Sequence, residues 1–122
     1  MNDAPFTFGE ARLAMNKASQ RQLDSEAAYR EAVENLAQAD LDYNRACARK
    51  MVELHAEGVA WTAARSLAIG DPHVSDLRYK RDVQRGIVDA AESARYRLQA
   101  DRRGLEKLIA WSERREIAEG AA

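Results

Sequence analysis

Apolar residues return every three or four positions along most of this chain, and strand-favouring Val, Ile, Thr and aromatic residues are sparse. From about residue 8 to 57 nothing interrupts a helix, because no proline follows Pro5 until Pro72. The clearest phase begins at Tyr29. Tyr29, Leu36, Tyr43 and Lys50 fall at heptad position d, and Val33, Asp40, Cys47 and Leu54 fall at a, with Asp40 and Lys50 as polar interruptions. Ala18, Ser25, Ala32, Ala39 and Ala46 repeat with a period of seven at g, a small-residue seam that lets a partner backbone come close. N-terminal to Tyr29 the stripe weakens, with Gln22 and Glu26 at core-type positions. That part is expected to be partly exposed, frayed or used for assembly.

A second run extends from about residue 72 to 117. Leu77, Gln84, Ala91, Leu98, Leu105 and Ser112 trace one core row, and Ile87, Ala94 and Leu108 the other, with Lys80 and Asp101 as polar exceptions. Val83, Ala90, Gly104 and Trp111 flank these rows at g, so in an antiparallel pair Ala90 and Gly104 are expected to meet the small seam of the first arm.

Between the arms lies a connector of about residues 58–71. Gly58 suits the position just past a helix end, and Val59 to Ile69 reads as a short helix with Trp61 as its packing anchor. Gly70-Asp71-Pro72 then combines three signals. Gly70 can take the positive φ that stops a helix, Asp71 can cap the next one, and Pro72 suits a first helical position that needs no amide donor. Upstream, Thr7-Phe8-Gly9-Glu10 fits a capping box that starts the first arm. Residues 1–6 and 119–122 are expected to be loose.

The expected fold is therefore all-α: one domain, an antiparallel hairpin of two long coiled-coil-like helices with a short connecting helix. Two such hairpins pairing into a four-helix bundle would bury more. Composition agrees. Of 122 residues 46% are apolar, but 24 are Ala, which leaves only about a quarter as large apolar side chains, enough for a stripe and thin for a centre. The lone Cys47 permits no internal disulfide and fits a reducing compartment. No apolar run is long enough to span a bilayer and no leader is evident, so a cytoplasmic protein is expected.

Candidate chemistry is sparse. His55 and His73 flank the connector and Cys47 precedes them, but the spacing matches no structural-zinc pattern, and no metal or cofactor is expected. Ser66, Ser75 and Ser112 lack a nucleophile elbow, and acid pairs such as Glu31/Glu34 and Glu113/Glu116 have helix-surface spacing. An enzyme is not expected. Charge is more informative. Residues 1–58 carry 7 basic and 10 acidic side chains, and residues 59–122 carry 12 and 10, for an overall charge of -1. Arg78, Lys80, Arg81, Arg85, Arg95 and Arg102 could form a stripe along phosphates. Interspersed acids, with i,i+4 pairs such as Arg78/Asp82, Arg97/Asp101 and Arg102/Glu106, favour a solvated salt-bridged face. Trp61 is a second candidate contact.

The runs Met51 to Gly58, Leu67 to Asp71 and Val74 to Asp82, closing with Leu105 to Trp111, resemble a group of small helical proteins encoded by phages and prophages. These are often encoded near single-strand annealing recombinases and mostly have no assigned function. The resemblance covers roughly residues 43–115. It implies a context, phage and host cytoplasm, and no chemistry. The leading expectation, from an apolar stripe with a charged rim, is a non-enzymatic helical interaction protein that binds a protein partner in DNA recombination or replication or inhibits a host defence system. Direct nucleic-acid binding through the basic stripe, an oligomer that sequesters a small molecule, and a structural role in the virion are the alternatives.

Overall fold

The computed structural model describes residues 7–121, and three helices account for nearly all of them: α1 Phe8–Ala56, α2 Trp61–Gly70 and α3 Pro72–Ala121. No strand occurs among the described residues. The chain is an all-α hairpin of two long helices and a short one. The expected looseness of residues 1–6 and 122 lies outside the described residues. Residues 119–121 correct the sequence reading, since α3 continues through them. Ala118, Glu119 and Ala121 are good helix formers, and Arg115 Nε holds Glu119 Oε1 at 3.1 Å one turn on.

Two compact units divide the chain. A joint unit comprises Tyr29–Ala91, and a terminal unit combines Met1–Ala28 with Glu92–Ala122.

In the joint unit, backbone chemistry dictates both breaks. Gly58 adopts φ 98°, its amide donates to the His55 carbonyl (3.0 Å), and the Val59 amide donates to the Leu54 carbonyl (3.0 Å). This pair of bonds is a Schellman motif; it satisfies the His55 carbonyl and adds a second donor to the Leu54 carbonyl, which also accepts from the Glu57 amide at 3.1 Å. The second break works differently from the sequence expectation. Gly70 has no positive φ and is the last residue of α2. The stop comes from Asp71, held at φ -61°, ψ 133°, because the Pro72 ring disfavours helical ψ in the residue before it. Asp71 caps as expected: Oδ2 accepts from the His73 and Val74 amides at 3.1 and 3.2 Å, and Pro72 opens α3. Ser75 Oγ adds a bond to the Ile69 carbonyl at 2.8 Å, tying the two helices across the break.

The inner face of α3 is rotated from the expected rows. In the joint unit, α1 turns Tyr29, Ala32, Leu36, Ala39, Tyr43, Ala46 and Lys50 inward, the d and g rows; of the a row Asp40, Cys47 and Leu54 are half-buried and Val33 is exposed. From α3 the inward residues are Val74, Leu77, Arg81, Gln84, Val88 and Ala91, while Ile87, Val83 and Ala90 face out. The terminal unit has the same pattern: Ala11, Met15, Ala18, Gln22 and Ser25 face Arg95, Leu98, Arg102, Leu105 and Ile109. The Leu77-to-Ser112 row is as expected. Its companion is the row of Val74, Arg81, Val88, Arg95, Arg102 and Ile109, and not the expected row of Ile87, Ala94 and Leu108, of which Ala94 is half-buried and the other two are exposed. Likewise Ala90 and Gly104 do not meet the seam; both are exposed, and nothing lies within 4 Å of a Cβ built on Gly104. The physical reason is size. A row of Ala and Ser at the centre of one face leaves room for long side chains opposite, and an Arg can lay its methylene stem across that row with its charge at the rim. The segment before Tyr29 is helical as far as Phe8, opened by the expected capping box, with Glu10 N–H to Thr7 Oγ1 at 3.2 Å and Thr7 N–H to Glu10 Oε2 at 3.1 Å.

The fully shielded interior is small. Ala32, Ala64, Ala68 and Val74 are buried in the joint unit and Ala11 in the terminal unit. From α2 it is Ala64 and Ala68 that face inward, so Trp61, expected to pack, stands half exposed at 50%, as does Leu67 at 55%.

Candidate interaction surfaces

The six basic residues singled out from the sequence separate into two groups. Arg81, Arg95 and Arg102 turn into the helix pairs. Arg81 lies 4.5 Å over the Tyr43 ring, its Nε is 3.8 Å from Asp40 Oδ1, and its guanidinium bonds Asp82 at 3.0 Å. In the terminal unit Arg95 meets Glu26 at 3.9 Å, and Arg102 Nη1 donates to Gln22 Oε1 at 2.7 Å with Glu106 3.4 Å from its Nε. The continuous phosphate-tracking stripe is therefore corrected: Arg81, Arg95 and Arg102 are engaged within the hairpin, because the inner face of α3 is rotated onto them. Arg78, Lys80 and Arg85 are exposed, and Lys80 pairs with Asp76 at 3.4 Å.

The two polar interruptions expected in the α1 stripe are also satisfied internally. Asp40 meets Arg81, and Lys50 lies 3.7 Å from both Asp71 and Glu53. Of the three i,i+4 pairs named above, Arg102/Glu106 forms, whereas Asp82 turns to its neighbour Arg81.

Trp61 forms a platform. Its ring stacks on His55 with centroids 3.8 Å apart and planes 13° from parallel. His55 Nδ1 lies 3.0 Å from the Val59 carbonyl, a contact made when that nitrogen carries the proton and donates. One side of the indole is thus held by the end of α1, and half of its surface stays open. Such a stack contributes about 0.5–1.5 kcal/mol beyond area burial, enough to fix the ring without burying it. His73 lies apart from this stack, in a small cleft of about 170 Å³ that Lys50, Glu53 and Asp71 also line. Its charges compensate one another, since Asp71 caps α3 and holds Lys50. Among the described residues no three His, Cys, Asp or Glu side chains converge as metal ligands would.

Large apolar side chains on the outer face of α3 were hidden from the sequence reading. In the joint unit Val83 and Ile87 are 41% and 46% exposed; in the terminal unit Leu108 and Trp111 are 44% and 46% exposed. Charge along a row gave no warning: Lys80 and Asp101 share the exposed row of Ile87 and Leu108, yet Arg81, Arg95 and Arg102 share the row that turns inward. The terminal unit also has a cleft of about 340 Å³, walled by Ala11, Met15 and Ile109 with Thr7, Glu113 and Glu116 at its edge. Ser112 Oγ beside it lacks a hydrogen-bond partner. No described helix is long and apolar enough to cross a membrane.

Comparison with protein-family models, curated proteins and solved structures finds no match for this chain.

Proposed function

We propose that the chain is a non-enzymatic helical interaction protein that binds a protein partner. One observation carries this reading: the largest apolar side chains, Trp61, Trp111, Ile87 and Leu108 among them, lie outside the interior, while the shielded interior is nearly all alanine. Partner recognition by a helical face needs an apolar row with a charged rim, and aromatic residues are favoured as anchors. The sequence resemblance to phage-encoded helical proteins supports a partner of phage or host origin, in DNA recombination or replication or in host defence.

Direct nucleic-acid binding is the weaker reading, since half of its proposed stripe is spent inside the hairpin and Arg78, Lys80 and Arg85 carry the rest. Affinity capture from the host cytoplasm with quantitative mass spectrometry tests the leading reading. One protein should be enriched by the parent chain and lost with Trp61→Ala or Trp111→Ala. Enrichment of nucleic acid alone, with a gel shift that weakens steeply with salt, would replace it.

A further inference from the structure

We infer that His55 and Trp61 form a pH-sensitive latch at the end of α1, in which a proton taken up by His55 tightens the hold on the indole. The inference concerns the chain alone and stands whether or not the partner reading does. It starts from the stack itself, in which the imidazole lies flat on the indole with centroids 3.8 Å apart and planes 13° from parallel. That overlap joins the last turn of α1 to the first residue of α2 across the turn at Gly58.

The hydrogen bond decides where the proton goes. Nδ1 lies 3.0 Å from the Val59 carbonyl, which can only accept, so Nδ1 carries the hydrogen and Nε2 is left as the basic nitrogen. His55 is exposed, so solvent exchanges protons with the ring. Uptake at Nε2 breaks neither contact, since Nδ1 is a donor in both charge states. It strengthens both. The bond to Val59 becomes charge-assisted, and the ring against the indole becomes a cation over a π face. A positive charge also arrives in the last turn of α1, at the negative end of the helix dipole.

The surrounding charges leave this direction intact. On α1, Glu53 and Glu57 stand two residues to either side; Glu53 pairs with Lys50, and neither pairs with His55. The one charged side chain of α2, Arg65, is exposed one turn beyond Trp61. Among the described residues, no side chain of α3 makes an ion pair, hydrogen bond or ring contact with His55, and His73 lies in the cleft with Lys50 and Asp71. Contacts that favour the charged ring add stability on the acid side, and that addition is lost as pH rises through the range of about 5 to 8 in which histidine changes its charge. Because Trp61 is half exposed, what the latch governs is how firmly an open ring is held.

The chain has two tryptophans and two histidines, so Trp111→Phe with His73→Gln leaves Trp61 and His55 as the single ring of each kind. In that chain the emission of Trp61 should fall from pH 8 to pH 5 and recover on return, because a protonated imidazole in contact with indole quenches it. Adding His55→Gln, which removes the charge and keeps a donor, should abolish the change. The same substitution should lower Tm by about 2–4 °C more at pH 5 than at pH 8, a difference that a merely structural stack would not produce. Emission that is equal at the two pH values, a change that survives His55→Gln, or an equal loss of Tm at both overturns the inference. Should His55→Gln lose helix content, the emission of the chain that keeps His55 decides alone.

Discussion

Among the described residues, the arms of the joint unit meet around four shielded side chains, Ala32, Ala64, Ala68 and Val74, whereas the terminal unit shields only Ala11. The joint unit has two backbone stops, a Schellman end at Gly58 and a cap-and-proline start at Asp71-Pro72. The terminal unit has one capping box, and its arms are joined by polar contacts, Gln22 to Arg102 and Glu26 to Arg95, beside an open cleft. Partly exposed polar contacts contribute a few tenths to about one kcal/mol each, and dry small-residue packing tolerates no change of volume. The contrast teaches where sequence is constrained. One unit is specified by backbone geometry and shape, and the other is held by polar contacts beside open space.

The largest effect is expected from removing the second stop. Changing Gly70, Asp71 and Pro72 together to Ala lets α2 run into α3, abolishes arm pairing in the joint unit and yields oligomers larger than the parent's. Sedimentation reads this directly, and an unchanged size would mean that the joint is dispensable. Next in size is a contrast of volume. Ala68→Leu, at a fully shielded site, should cost about 1–3 kcal/mol in thermal or denaturant unfolding followed by circular dichroism. Ala11→Leu, beside the cleft of about 340 Å³, should stay within about 0.5 kcal/mol of the parent or stabilise it. Equal losses at the two sites would erase the distinction between the units. The smallest contrast concerns the caps. Asp71→Ala removes the acceptor of two amides beside the shielded Val74 and should cost about 1–2 kcal/mol, and Thr7→Ala, with both cap bonds exposed, about 0.5 kcal/mol.

Local backbone chemistry was the most legible part of the sequence. Thr7 with Glu10, Gly58, and Asp71 with Pro72 act where they were expected, since caps and turns depend on a few adjacent residues. The role of Gly70 was misjudged because Pro72 already forces the break through Asp71, leaving glycine nothing to do. Helix rotation was less legible. Hydrophobic periodicity ranks Ile87 above Arg81 as an interior residue, yet the small seam of α1 accepts the arginine stem, with Asp40 and Tyr43 ready for its charge. That outcome depends on the facing arm, which no single-helix pattern contains. For the same reason the basic stripe read from α3 alone lost three of its members, and Trp61 changed from buried anchor to half-open platform once Ala64 and Ala68 took the inner face of α2.

The alanine seam has one more consequence. A repeat of seven looks the same after a slip of seven, so small-residue packing by itself cannot tell the native alignment of the arms from one displaced by two turns. Within the joint unit the polar rungs Asp40–Arg81 and Lys50–Asp71 remove that ambiguity. A slip of seven would set Arg81 against Val33 or Cys47, taking away the Asp40 contact across the arms and leaving Arg81 with Asp82 on its own helix. The seam supplies closeness, and the rungs mark the one alignment in which that closeness is usable.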